Sequence, residues 1–277
     1  MAIEIQRRAE PHWPSQVRLP VVLTFEHQSG EGAQPIFGDR PNYMIGDAMQ
    51  YGARRGLWNI LEVLEKHSVK ATFFVCGLTA ERYASGVRAI QKAGHELAGM
   101  TYSFDRVRTM SPERERDIIK RSVKALQDNA GTVIKGWRCP DYRISPQTLD
   151  LLAEADFEWD SSLLNDDLPY LFDCRGRFLA EIPFTTSTAD KTFAAYPHPQ
   201  RGGPDGLANV WNTEFDMLYE ESQRAARFLI LSMQTWVVGR PAVLRVLDQF
   251  LHRLKSFEGL WYARCGEIGQ TLRPQIA

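Results

Sequence analysis

Residues 21–31 read Val-Val-Leu-Thr-Phe-Glu-His-Gln-Ser-Gly-Glu. The first five are apolar apart from Thr24 and mostly β-branched, which is typical of a strand that is buried on both faces of a sheet. Gly30 then allows the backbone to turn. Glu26 and His27 therefore lie where a buried strand ends, and in α/β folds this edge of the sheet carries the chemistry.

Segments with helical periodicity and segments with the composition of buried strands alternate along the rest of the chain. Further strands are predicted at 69–76, 95–98, 132–137, 157–161, 178–182, 228–236 and 260–264, and helices at 47–67, 79–93, 112–129, 146–155, 210–224 and 240–256. Thr79 is expected to cap its helix, and 185–208 to be irregular. Seven or eight strands alternating with helices predict an α/β fold whose parallel sheet forms a closed or nearly closed barrel.

The polar loop at 28–42 is longer than about 12 residues, and loops of that length are usually functional when they are ordered. It directly follows the strand that ends in Glu26 and His27. We therefore expect this loop to close over a bound ligand.

Composition limits the classes of partner. The chain has 277 residues, 44% of them hydrophobic, and no linker-like tract, so a single domain over 1–277 with an irregular segment at 1–20 is expected. The net charge is −1, so the composition does not indicate nucleic acid or an anionic membrane surface as a partner. The four cysteines form no C-x-x-C pair, which favours a reduced cytoplasm over a zinc or disulfide framework. The expected partner is a small-molecule substrate.

Several stretches resemble one superfamily, the polysaccharide deacetylases of the NodB-homology or carbohydrate esterase 4 group. They read LTFEH, GLWNILEVLEKHSVKATFFVCG, AGHELAGMTYSF, GWRCPDYRISPQTLDLLAEADFEWDSSLLNDD, WNTEFDMLYEE and VVGRPAVLRVLDQFLHRLKS. The stretches GEGAQPIFGD and YGARRGLWNILE are most similar to a side branch, the allantoinases that lack a metal. The resemblance implies a distorted (β/α)7-type barrel, hydrolysis of an amide or cyclic amide, and a homo-oligomer.

The chain departs from the metal-dependent pattern at three places. The acidic pair after the first strand falls on Glu26 and His27, and the two histidine ligands of an H-T-Y-S-H-like motif fall on Met100 and Phe104. Neither a thioether nor a phenyl ring is a suitable ligand for Zn²⁺. The late H-P motif that supplies the general acid here reads Met-Gln-Thr at 233–235, and a carboxamide cannot give up a proton near neutral pH. We therefore expect no catalytic metal and no other cofactor.

Three residues are the catalytic candidates. Glu26 matches the base of the family, and Arg138, which ends a predicted strand, matches the arginine that orients this base. A guanidinium there can hold the carboxylate in a forked pair or bind an anionic substrate. His27 has two open interpretations. It replaces the missing acid if the backbone bends after Glu26, or it is structural if the strand stays regular and the two side chains point to opposite faces.

A second set of polar residues, at predicted strand ends or loops, is assigned to substrate binding. It contains Tyr102, Ser103, Asp141, Arg143, Asp190, Gln234 and His198. Four of them have a plainer alternative. Tyr102 can be packing only, Asp141 and Arg143 can form a surface ion pair, and His198 can simply be exposed.

Three functions remain open at this point. The first is a metal-independent hydrolase of a small amide, cyclic ureide or imide, with Glu26 as base and Arg138 as its partner. The second is a metal-free lyase or decarboxylase acting on a small carboxylic acid, favoured if Arg138 and Arg143 both face the substrate. The third is a binding protein that has lost catalysis.

Overall fold

The strands of the computed structural model form one sheet around β1, the longest and fully buried strand. The structure describes residues 11–33, 43–195 and 202–272. Within these ranges the strands are β1 Leu19–His27, β2 Thr72–Val75, β3 Glu96–Gly99, β4 Gly136–Trp137, β5 Trp159–Asp160, β6 Tyr170–Cys174, β7 Arg177–Glu181, β8 Leu229–Gln234 and β9 Leu260–Ala263.

The sheet has the order β6-β7-β5-β4-β3-β2-β1-β8, and β9 pairs with the start of β1. All pairs are parallel except the hairpin of β6 and β7. The sheet curls into a half-barrel, so the predicted α/β fold with a mostly parallel, barrel-like sheet is confirmed.

Most helices pack on the outer face of the sheet, whereas the last one, Cys265–Leu272, packs in the apolar core that contains Trp159. The helices are α1 Tyr43–Tyr51, α2 Leu57–His67, α3 Gly77–Arg82, α4 Ala84–Lys92, α5 Pro112–Ala130, α6 Thr148–Glu154, α7 Asp190–Ala194, α8 Gly203–Glu221, α9 Thr235–Val238, α10 Pro241–Leu254 and α11 Cys265–Leu272. A π-helical turn, Gly52–Gly56, joins α1 to α2, and short 3₁₀ turns occupy Val107–Thr109 and Pro140–Tyr142. Among the described residues, no helix is long and apolar enough to cross a membrane.

The alternation of side chains along β1 separates two apolar cores. Leu23 and Phe25 belong to the core between the sheet and the helices. Val22 belongs to a second core inside the curl of the sheet, which also contains Phe74 and Trp159. We call this interior the lumen. Since side chains alternate along a strand, Thr24 and Glu26 share the lumen side with Val22.

Some boundaries differ from the sequence-based prediction for physical reasons. The helix predicted at 47–67 is interrupted by the π-helical turn, where Gly52 and Gly56 pack directly on α9. A Cβ on Gly56 would lie 2.2 Å from the carbonyl oxygen of Thr235. The strand predicted at 228–236 ends at Gln234 because α9 begins at Thr235.

Other differences concern short elements. The region predicted as irregular, 185–208, contains α7 and the start of α8, and the strand predicted at 132–137 is reduced to β4. The edge strand β6 was missed because its apolar run, 170–172, is only three residues long. Thr79 is not a cap, because α3 already begins at Gly77.

Candidate active site

The pairing of β1 with β8 builds the centre of the site. The register places Thr24 beside Ser232 and Glu26 beside Gln234 at the carboxyl end of both strands. Glu26 is 2% exposed, and its Oε2 accepts a hydrogen bond from Nε2 of Gln234. Its Oε1 is buried and has no hydrogen-bond partner among the described residues. One carboxylate oxygen is therefore anchored and the other is left for a ligand.

Two further groups fix Gln234. Its side-chain oxygen accepts a hydrogen bond of 2.9 Å from Nε2 of Gln28, so the carboxamide can only point its NH₂ at Glu26. Its backbone N–H donates to both oxygens of Asp190 at 3.0 Å. Burial, with a smaller contribution from the charge of Glu26, raises the pKa of Asp190 to about 8, against the lowering effect of the backbone N–H of Gln234. Gln234 thus orients the carboxylate of Glu26, and Asp190 holds Gln234 in place.

Arg138 lies in the lumen directly after β4 and is fully buried. Its Nε donates to the carbonyl of Ser161 at 2.9 Å and its Nη2 to the hydroxyl of Ser161 at 2.8 Å. Its Nη1 donates to the hydroxyls of Thr24 and Ser232 at 3.2 and 3.1 Å. The guanidinium also lies over the rings of Phe74 and Phe184, 4.0 and 4.3 Å from their centroids.

The forked pair expected between Arg138 and Glu26 does not form. Nη1 of Arg138 is 3.8 Å from Oε1 of Glu26, which is too long for a hydrogen bond. The donors of the guanidinium are directed instead at Ser161, Thr24 and Ser232. Arg138 therefore acts on the carboxylate as a fixed positive charge, while Gln234 holds it by hydrogen bonding.

Tyr142, which the sequence analysis did not select, also faces this centre. Its ring lies 4.3 Å from that of Phe184 in an edge-on arrangement. Burial raises the pKa of its phenol well above the ordinary value, and the charge of Glu26 adds to this, while Arg138 and a hydrogen bond with Ser232 act in the opposite direction. The phenol is therefore a neutral O–H group next to the carboxylate.

His27 does not share the site with Glu26. The bend that would bring the two side chains together is absent, because β1 stays in register with β2 through His27 and Val75. His27 consequently points to the helical side, where its Nδ1 lies 3.1 Å from Oγ1 of Thr235. Burial lowers its pKa to about 4, so the imidazole is neutral near pH 7. The interpretation of His27 as a replacement acid is wrong, since the alternation of the strand places it behind the sheet.

The segment that corresponds to the histidine ligands is apolar. Met100 is fully buried and Phe104 is 6% exposed, and both pack in the lumen core with Cys76 and Phe74. Among the described residues, no group of three or more His, Cys, Asp or Glu side chains could hold a metal ion. The donor set at these positions therefore does not fit a divalent metal.

Several predicted substrate-binding residues lie elsewhere. Tyr102 donates its hydroxyl to Glu81 of α3 at 2.7 Å, with Arg121 of α5 over its ring, so it packs between two helices. Ser103 is engaged in a local turn, where its N–H and hydroxyl donate to Asp105.

The remaining predicted residues lie at the surface or cannot be placed. Asp141 forms ion pairs at the rim with Lys191 at 3.6 Å and Arg106 at 4.0 Å, and not with Arg143, which is exposed. His198 and positions 34–42 of the predicted loop are outside the described residues.

Two lumen residues that the sequence analysis missed were detectable in principle. Thr24 and Ser232 interrupt apolar strands two residues before Glu26 and Gln234, and positions two apart share a face. Thr24 therefore lies on the same face of β1 as Glu26, and Ser232 on the same face of β8 as Gln234. The position of Tyr142 had no such signal, because it depends on the backbone of the turn after β4.

The site combines a buried carboxylate and a buried arginine at the carboxyl ends of parallel strands in a half-barrel. This position is typical of the active site in α/β-barrel enzymes. The family model described as Polysaccharide deacetylase matches residues 38–159. A Schizosaccharomyces pombe protein assigned to the polysaccharide deacetylases is 25% identical over 296 aligned residues, covering 94% of this chain and 91% of its own length. A peptidoglycan deacetylase of Helicobacter pylori is 23% identical, covering 77% of this chain and 82% of its own.

A solved structure is also similar to this chain. The crystal structure of Puue allantoinase superimposes with a TM-score of 0.85 and 27% identity, over 96% of this chain and 93% of that one. The chain is therefore similar in sequence and fold to the polysaccharide deacetylases, a family of hydrolases that act on carbon–nitrogen bonds.

Proposed function

We propose that this protein is a metal-independent hydrolase of a small, neutral amide, cyclic ureide or imide, with Glu26 as the base. The observation that carries the proposal is the state of the Glu26 carboxylate. Oε2 is anchored by Gln234, while the buried Oε1 has no hydrogen-bond partner among the described residues and lies 3.8 Å from Nη1 of Arg138. A buried, oriented carboxylate with one unused oxygen is suited to accept a proton from water.

The reaction needs only one proton carrier. Glu26 takes a proton from water as the water oxygen forms a bond to the substrate carbonyl carbon, and the carbonyl π pair moves onto oxygen. When this pair re-forms the carbonyl, the C–N bond breaks and the nitrogen takes the proton from Glu26. The same carboxyl group thus acts first as base and then as acid, which removes the need for the missing histidine.

Arg138 assists this cycle through its charge. It is fully buried and its donors are directed at Ser161, Thr24 and Ser232, so it is fixed before the substrate binds. A preorganised positive charge in a dry site stabilises the negative charge that develops during attack without any reorganisation.

The residues also suggest the kind of substrate. An unactivated acetamide needs strong polarisation of its carbonyl, for which the apolar Met100 and Phe104 offer nothing. Strained or electron-poor carbonyls, as in cyclic ureides and imides, need less. The similarity to an allantoinase over 96% of the chain supports the same choice.

The lyase alternative is weaker. It requires arginines that clamp a substrate carboxylate, but Arg138 is occupied by lumen hydroxyls and lies against two rings, and Arg143 is exposed at the surface. Neither arginine offers a fork to an anion inside the lumen. We also propose a homo-oligomer, on the resemblance alone, and light scattering of the purified protein tests it.

The test of the base is Glu26→Gln, assayed on hydantoin, allantoin and simple N-acyl compounds after removal of metals with a chelator. We expect kcat to fall by about 10³-fold or more, because the carboxamide cannot carry the proton. Glu62→Gln, on the exposed face of α2, is the matched control and should leave kcat unchanged.

Two results would contradict the proposal. A fall of less than about tenfold, worth roughly 1.4 kcal/mol, would remove Glu26 as the base. Absence of turnover by the wild-type protein on the whole panel, with ligand affinity retained in Glu26→Gln, would favour the binding protein instead.

A further inference from the structure

The turn after β4 has an unusual backbone. Asp141 and Tyr142, neither of them glycine, both adopt left-handed conformations, with φ of 50° and 60°. A bulky residue in this region is uncommon and costs about 1–2 kcal/mol, so it persists only where the surroundings hold it. The N–H of Tyr142 donates to the carbonyl of Cys139 at 3.1 Å, which closes the turn.

Three elements hold this turn in place. The side chain of Asp141 lies between Lys191 of α7 and Arg106 of the loop after β3, at 3.6 and 4.0 Å. The ring of Tyr142 packs edge-on against Phe184, which in turn lies over the guanidinium of Arg138. The strained turn therefore has one clear consequence, which is to direct the phenol of Tyr142 inward, towards Glu26 and Arg138.

The phenol of Tyr142 lies near two polar side chains of this centre, Ser232 and Glu26. Ser232, whose hydroxyl accepts a hydrogen bond from Nη1 of Arg138, lies near the phenol and acts to lower its pKa. Oε1 of Glu26, the nearest candidate acceptor at the site, has no partner among the described residues. The phenol of Tyr142 and the unused oxygen of Glu26 thus lie at the same centre.

We propose that the phenol of Tyr142 donates the hydrogen bond that stabilises the oxyanion of the substrate, which makes Tyr142 a catalytic residue of the proposed hydrolysis. This role rests on the proposed function. When the water oxygen bonds to the carbonyl carbon, the π pair on the carbonyl oxygen is held by the Tyr142 O–H without proton transfer. The pair returns as the C–N bond breaks, and the nitrogen receives its proton from Glu26.

This role explains why the high pKa of the phenol is useful. Burial and the charge of Glu26 raise its pKa, so the phenol is protonated near neutral pH. In this lumen the metal that would polarise a carbonyl has no ligands at Met100 and Phe104. A neutral O–H near the buried Arg138 supplies this polarisation instead.

The first experiment is Tyr142→Phe, which keeps the ring against Phe184 and removes only the O–H. We expect kcat on the best substrate of the panel to fall by about 10²–10³-fold, as for the loss of one oxyanion donor, with little change in KM or in the midpoint of thermal unfolding. Tyr219→Phe is the matched control, because its hydroxyl donates to the carbonyl of Glu258 outside the lumen. It should leave kcat unchanged.

The second experiment does not depend on turnover. In the Glu26→Gln background, the infrared carbonyl stretch of bound ¹³C-labelled hydantoin is compared with and without Tyr142→Phe. A donor phenol shifts the stretch to lower wavenumber, and Tyr142→Phe removes the shift.

Each outcome decides one of the two proposals or both. An unchanged stretch, or a kcat that stays within about threefold while Glu26→Gln is inactive, overturns the role of Tyr142 and leaves the hydrolase standing. Binding with the expected shift but without wild-type turnover supports Tyr142 as the carbonyl donor and overturns hydrolysis. A protein that neither turns over nor binds the panel overturns both.

Discussion

The two walls of the lumen differ sharply in chemistry. The wall made by the ends of β1 and β8 is polar, with Thr24, Glu26, Ser232 and Gln234 in register. The wall made by the ends of β2 and β3 is apolar, where Cys76, Met100 and Phe104 pack on one another. We call these the polar wall and the apolar wall.

The difference teaches how the fold divides its tasks. The pattern of the metal-dependent deacetylases, which the chain resembles, would place ligands of one metal ion on both walls. Here the apolar wall contributes packing, and any chemistry has to come from the polar wall together with Arg138 and Tyr142. Loss of one set of ligands does not dismantle the other wall, because its geometry is set by strand register and buried hydrogen bonds.

The largest expected effect follows from removing the charge that joins the strands of the polar wall. Arg138→Met leaves the hydroxyls of Thr24 and Ser232 without their donor and leaves Glu26 as an uncompensated buried charge. We expect the free energy of unfolding, measured with urea, to fall by about 3–5 kcal/mol.

The double variant Arg138→Met/Glu26→Gln sharpens this prediction. Removing both charges should restore part of the lost stability, because the remaining carboxamide carries no buried charge. Arg88→Lys, on the exposed face of α4, is the control and should change stability by less than about 0.5 kcal/mol. Strict additivity of the two single changes would show that the charges at 26 and 138 do not interact.

The apolar wall is expected to respond less strongly. Met100→His places an imidazole without a partner in the core of Cys76 and Phe104 and should cost about 2–3 kcal/mol. Met100→Leu conserves volume and should cost less than about 1.5 kcal/mol. Met217→His, on the exposed side of α8, controls for the substitution itself. If Met100→His were as stable as Met100→Leu, this wall would be polar or hydrated in solution.

Much of the fold could be predicted from the sequence, because buried strands are recognisable as short runs of apolar and β-branched residues. The stretch from Val21 to His27 was identified as a buried strand with Glu26 at its end, and β1 spans Leu19–His27. The short β6 and α7 were missed because neither has an apolar run long enough to show a period.

The site was less accessible to such reasoning. Strand alternation already indicated that Glu26 and His27 face opposite sides, and the regular register of β1 follows that rule. The orientation of Tyr142 was beyond reach, since two successive left-handed residues without glycine have no sequence signature. Hydrogen bonds that join distant segments, as between Arg138 and Ser232, depend on tertiary contacts alone.

The last effect, which is the smallest for a step of one pH unit, concerns the other side of β1, where His27 is buried. Its pKa is about 4 in the folded chain against 6.5 for an ordinary histidine, because burial disfavours the charged form. Between these values the unfolded chain binds more protons, so the free energy of unfolding should fall as pH drops from 6.5 to 4. The contribution of one such group to the slope is at most about 1.4 kcal/mol per pH unit.

His27→Gln removes this contribution while leaving a polar group beside Thr235. We expect its urea unfolding curves to shift less than those of the wild type over the same pH range. Some slope should remain, because burial also lowers the pKa of His95 to about 4. His252→Gln, on the exposed side of α10, should keep the full slope. An undiminished slope in His27→Gln would mean that His27 titrates as an accessible group, and the separation between the lumen and the rear of β1 would then be wrong.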